Sequence, residues 1–128
     1  MCLLSTTVKP KKAKEDIICY KFLMKGDCLK SPWREFIWEL NKEYTAERSK
    51  PRYSKKSITD GYFHTYKSHM EARVDADYHQ CSRFWYGFPL NVCIYKCIIP
   101  KGSVYFEGIC NGGFEGYASK KLIVVEAI

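Results

Sequence analysis

The sequence predicts an α+β domain: compact mixed or antiparallel sheets with one main helix at about residues 68–80. Two observations carry this expectation. Long apolar runs rich in β-branched residues occupy 16–24, 91–108 and 117–128, each bounded by glycine, proline or a charged cluster, as buried strands are. Between them one stretch carries a helix start signal, Ser68 with Glu71 three residues later, the spacing at which two side chains satisfy each other's end of a first turn. At 128 residues the chain has room for one domain, and its ten Tyr, seven Phe and three Trp supply a core without metal or disulfide staples.

Taken in order, residues 1–15 read as a basic, flexible N-terminal arm, and residues 16–128 as the single domain. "DIICYKFLM" (16–24) is continuously apolar, the pattern of a central strand covered on both faces. "SPWREFIWELNKEY" (31–44) supports two readings. Ser31-Pro32 caps a helix with Trp33, Phe36, Ile37 and Leu40 at helical spacing, while the aromatic content suits a strand; a short helical turn followed by an extended segment combines them. Asp60-Gly61 is a turn, "YFHTY" (62–66) alternates as a strand, and Met70, Val74 and Tyr78 then fall on one helical face. "NVCIYKCIIPKGSVYFEG" (91–108) is strand, turn and strand around Pro100 and Gly102, "NGGF" (111–114) is a loop, and "YASKKLIVVEAI" (117–128) closes the chain as a strand.

Charge narrows the partners. Lys and Arg number 21 against 14 Asp and Glu, a net +7, concentrated in "KPKKAK" (9–14) and "RSKPRYSKK" (48–56). That balance favours phosphate-bearing or polyanionic partners, so nucleic acid is a candidate. The seven cysteines form no CxxC pair, and "MCLLSTTVKPKKAK" holds too short an apolar stretch for a secretory leader, which together point to reduced thiols in the cytoplasm. Cys93 and Cys97, four apart on one strand, place their sulfurs too far apart for one zinc ion, so no metal is expected. No run of eighteen apolar residues exists to span a membrane.

Phosphate-cradling and metalloprotease signatures are absent from the sequence. What remains is a set of single residues. Tyr62, His64 and Tyr66 share one face of their strand, with Phe63 and Thr65 on the other, and His64 is either a candidate ligand-binding side chain or part of an aromatic edge. His69 and His79 fall in the first turn and near the end of the helix. "SRFWYGF" (82–88) sets Arg83 beside several aromatic rings, and Trp85 there either stacks on a base or a nicotinamide or belongs to a loop that plugs the end of the core. Glu107, just beyond the proline turn, is either a catalytic carboxylate or an edge-strand charge that discourages further pairing.

Two resemblances attach to these motifs. "DGYFHTYKSHMEA", "IYKCIIPKGSVYFEG" and "YASKKLIVV" look like a group of small proteins from gut bacteria and their phages that share the "IPKG" corner and the "YAS" strand. More distantly, the same order resembles the ADP-ribosyltransferase fold, in particular the small rifampin ADP-ribosyltransferases. That resemblance implies a nucleotide or NAD-like ligand, Tyr62 as the ring stacked on nicotinamide, Glu107 as the acid, and the 117–128 strand closing the fold. Tyr20 and Lys21 stand where such enzymes carry a His or Arg that holds the dinucleotide. A carboxylate beside the ribose would stabilise the oxocarbenium-like cation formed when the nicotinamide bond breaks.

The expected function is therefore a small cytoplasmic ADP-ribosyltransferase-like domain that binds a nucleotide or NAD, with or without catalysis. The alternative is a basic module that binds nucleic acid or a host protein.

Overall fold

Backbone pairing, more than helix packing, organises this chain. The computed structural model describes residues 3–6, 10–26, 29–31, 36–47, 52–54, 57–81, 92–110 and 112–128. Among them lie thirteen strands: β1 (Leu3–Thr6), β2 (Lys11–Lys12), β3 (Ile17–Lys25), β4 (Leu29–Lys30), β5 (Ile37–Trp38), β6 (Glu43–Thr45), β7 (Arg52–Ser54), β8 (Ser57–Asp60), β9 (Phe63–Tyr66), β10 (Val92–Ile99), β11 (Val104–Cys110), β12 (Glu115–Ser119) and β13 (Lys121–Ala127). One helix, α1 (His69–Cys81), interrupts them. Thirteen antiparallel strands against one helix make a largely β fold, which corrects the α+β, ADP-ribosyltransferase-like architecture expected from the sequence. The helix stands where its cap signal put it, but it is an accessory to a sheet rather than half of the architecture.

All strands join one sheet in the order β6-β13-β10-β3-β9-β12-β11-β1-β8-β7, with β2 on β11, β4 on β3 and β5 on β4. The path narrows to a single pair, Tyr20 with Tyr66, between β3 and β9. Here the sheet folds over, because one core cluster takes Cys19, Leu23, Tyr95, Cys97, Ile99, Leu122 and Val124 from one side of the joint and Phe63, Tyr105 and Tyr117 from the other. Trp38, Phe36 and Tyr44 close one end of this core with ring separations of 4.6 to 5.3 Å. Each fully buried leucine here contributes about 1.5–3 kcal/mol, so the apolar runs of β3, β10 and β13 account for the fold-over.

Several segments differ from their sequence reading. The expected N-terminal arm supplies β1, which pairs with β11 and β8, and β2, which pairs with β11; Ala13 beyond them is buried. The segment 31–44 is extended at Ile37–Trp38 and from Glu43, with a turn at Leu40 and Asn41 between them, Trp38 buried and Ile37 and Leu40 exposed; its proposed helical turn lies mostly outside the described residues. The final strand is two, since the chain bends at Lys120 and sends β12 to β11 and β9 but β13 to β10 and β6. The Pro100 corner is a tight turn: the Ser103 amide donates to the Pro100 carbonyl at 3.0 Å, and Gly102 takes a φ of 88°, which a type II turn demands of its third residue.

Helix α1 lies on the outer face of β3 and β10. Ser68 Oγ accepts the Glu71 amide at 3.2 Å and caps its first turn. Its inward side is Ala72 and Ala76, both fully buried against Phe22, Tyr66, Val92 and Ile94. Two alanines let the helix approach the sheet closely, and the Tyr66 hydroxyl donates to the buried Asp75 carboxylate to fix its rotation. The stripe of Met70, Val74 and Tyr78 consequently faces outward and is exposed.

Candidate functional site

The acid beyond the proline corner is the natural starting point. Glu107 sits near the middle of β11, opposite Tyr117 of β12, and its carboxylate is held by Lys67 at 2.7 Å and Lys11 at 3.3 Å. The hydrogen bond from Lys67 leads in holding Glu107 below its usual carboxylate range, with Lys11 adding to it against partial desolvation; Lys67 is raised in turn. With Gly108, Ile109 and Glu115 these residues line an open depression of about 140 Å³. Two lysines and two glutamates make it close to neutral. Glu107 is thus a compensated, ionised carboxylate, suited to anchoring β2 and the end of β9 on β11 and poorly suited to giving up a proton near neutral pH.

The remaining predicted site residues lie elsewhere. Register sets Phe106 and Glu107 on opposite faces of β11, and Tyr62 packs on the Phe106 side, ring to ring at 6.0 Å, with Lys120 Nζ over its ring at 5.9 Å. Tyr62 and Glu107 therefore point to opposite sides of the sheet and share no cleft. His64 is buried on the Tyr62 side, opposite Ala118. Lys21 faces the core beside Cys19 and Cys97, and its ammonium donates to the His64 carbonyl oxygen at 2.9 Å across the fold-over joint. Tyr20 points to the other face of β3, its ring edge-on to His69 at 5.7 Å. Trp85 lies outside the described residues. Of the five described, only Lys21 and His64 are joined by a hydrogen bond, and through a backbone oxygen. Placed this way, the residues do not fit a nicotinamide dinucleotide between Tyr62 and Glu107, and no transfer step follows from them.

Buried thiols offer no alternative chemistry. Cys19 and Cys97 are direct cross-strand partners in the core, and burial pushes the Cys19 thiol up to about 12 and Cys97 well above its ordinary value. Such thiols stay protonated and unreactive.

The surface that stands out is apolar. Ile18 of β3, Ile98 of β10 and Ile123 of β13 are consecutive register partners and form a row across three strands, on the face that carries α1. Helix α1 begins beside Tyr20, where His69 meets its ring, and packs over Phe22, Val92 and Ile94, which leaves Ile18 half exposed and Ile98 and Ile123 partly so. Met70 and Val74 add 66% and 52% exposed side chains on the helix itself. Sequence reading missed this surface because apolar residues in a strand and a helix stripe look the same whether they face a core or solvent. The one available signal was that Ala72 and Ala76, with Asp75 between them, form a second, closer-packing face.

Comparison of the chain with protein-family models, with curated proteins and with solved structures finds no match. No helix among the described residues is long and apolar enough to cross a membrane.

Proposed function

We propose that the chain is a protein-binding module that docks a polypeptide partner through the face bearing α1. The observation that carries this is the in-register isoleucine row Ile18–Ile98–Ile123 left open beside the helix, together with the outward Met70 and Val74. Leaving such side chains in water forgoes roughly 1 kcal/mol or more of burial apiece, and contiguous exposed apolar surface of this kind is where soluble proteins bind one another. A cytoplasmic setting accords with free thiols at Cys19, Cys93 and Cys97. A photo-crosslinking residue at position 18 or 70, with position 107 on the other surface as control, tests the reading in living cells. Adducts at 18 and 70 and not at 107 are expected; equal or absent labelling at all three would remove it.

A second reading has one specific observation behind it: the paired ammonium groups of Lys11 and Lys67 at the Glu107 depression. A nucleotide-like ligand there would compete with Glu107 for both lysines. NAD, ADP-ribose and a cyclic nucleotide should then raise the melting temperature; a flat response to all three ends this reading.

A further inference from the structure

Resting on the docking reading above, we propose that the polypeptide covering helix α1 is a second copy of this chain, bound helix to helix in antiparallel fashion. The stripe comes first. Met70 and Val74 lie about one turn apart on the outer side of α1 and are 66% and 52% exposed, while the inner side is already filled by Ala72 and Ala76. The helix offers this stripe from a fixed position, because the Ser68 cap and the hydrogen bond from Tyr66 to Asp75 set where it starts and how it is rotated.

The flanking charges select the occupant. Arg73 and Asp77 are both exposed, lie on the same flank of the stripe, and make no ion pair with any described residue. Their order, base four residues before acid, is the poorer one for pairing within a helix, since both the side-chain geometry and the helix dipole favour the acid first. The same order suits a twofold arrangement. When two copies of α1 run antiparallel about an axis level with Asp75, Arg73 of each meets Asp77 of the other, and four residues of rise separate the two pairs by about 6 Å. Val74 of each copy lies next to the axis, between the two ion pairs. A self-complementary patch of this kind is what an isologous dimer needs.

Size and charge fix how the dimer should behave. One helix face is a small interface, so association is weak and depends on concentration. The net charge of +7 on each copy opposes approach at long range, and this repulsion is screened at an ionic strength of about 0.15 M, where the Debye length is about 8 Å. The same screening weakens the two exposed Arg73–Asp77 pairs, so the two effects of salt on the dimer oppose each other.

Sedimentation velocity on the full chain over a wide concentration range tests this. The expected result is a monomer–dimer equilibrium whose dissociation constant rises about tenfold or more in Arg73→Asp and in Asp77→Arg, and returns to within about threefold of the original in the double exchange. Both positions are exposed, so circular dichroism, and the melting temperature measured at concentrations where the chain is monomeric, should be unchanged in all three variants. A chain that stays monomeric throughout, or a dimer indifferent to the single changes, or an exchange that fails to restore it, overturns the proposal. Monomeric behaviour combined with crosslinks from positions 18 and 70 to a different polypeptide would overturn the second copy and leave the docking reading standing; monomeric behaviour with no crosslinks would remove both.

Discussion

Lys67 decides what Glu107 can do. A carboxylate bonded by two ammonium groups is lowered below its ordinary value of 4.5, so it stabilises the fold above the unfolded pKa and loses that contribution as pH falls through the folded one. Because both lysines are about half exposed, the pairs are screened. Glu107→Gln should therefore cost under about 1 kcal/mol at neutral pH and should flatten the acid limb of a urea-denaturation series as pH falls below the ordinary carboxylate value of 4.5. An unchanged acid limb would show that neither lysine holds the carboxylate in solution. Nothing at the level of single residues announced this arrangement: Lys11, Lys67 and Glu107 are far apart in sequence, and only the pairing of β2 with β11 and of β9 through β12 with β11 makes them neighbours. The alternation of Tyr62, His64 and Tyr66 against Phe63 and Thr65 was legible, since a strand's side-chain period is fixed; which face Glu107 would share was not, because that depends on a register between strands that the sequence does not specify locally.

At the scale of elements, helix α1 and the apolar strands were readable and the polar strands were not. Ser68 and Glu71 marked the helix start through local hydrogen bonding, and the runs in β3, β10 and β13 through burial. Strands β1, β2 and β8 exist by pairing with partners distant in sequence, and β7 as the second arm of a short hairpin with β8, so no local apolar pattern discloses them. The rotation of α1 was likewise hidden, because its larger apolar stripe faces away from the sheet. This yields a direct contrast between two neighbouring positions. Met70→Lys should change stability by less than about 0.5 kcal/mol, as exposed substitutions do, whereas Ala72→Leu should cost about 1–3 kcal/mol by forcing the helix off Phe22 and Tyr66. Chemical denaturation of the two variants checks it; the reverse ranking would mean the helix is rotated by half a turn.

On the scale of the whole molecule, the first residues matter more than their composition implies. β1 stands between β11 and β8 in the sheet and is the only described link that joins β7 and β8 to the rest. Deleting residues 1–9 should expose the 57–60 amides, reducing their hydrogen-exchange protection about tenfold or more, while β3 and β10 keep theirs. Equal protection before and after deletion would mean that the β7–β8 ribbon is held by something other than β1.

The single Tyr20–Tyr66 joint has one more consequence. On one side of it lie β3 to β6, β10 and β13, on the other β1, β2, β7 to β9, β11 and β12, and the chain passes between the sides after β2, β6, β9, β10 and β12. No single backbone cleavage can then release either side as an intact fragment. A protease nick in any connection leaves at least one piece holding strands from both layers, and the layer built on β3 and β10 stays incomplete while the ribosome still withholds β13.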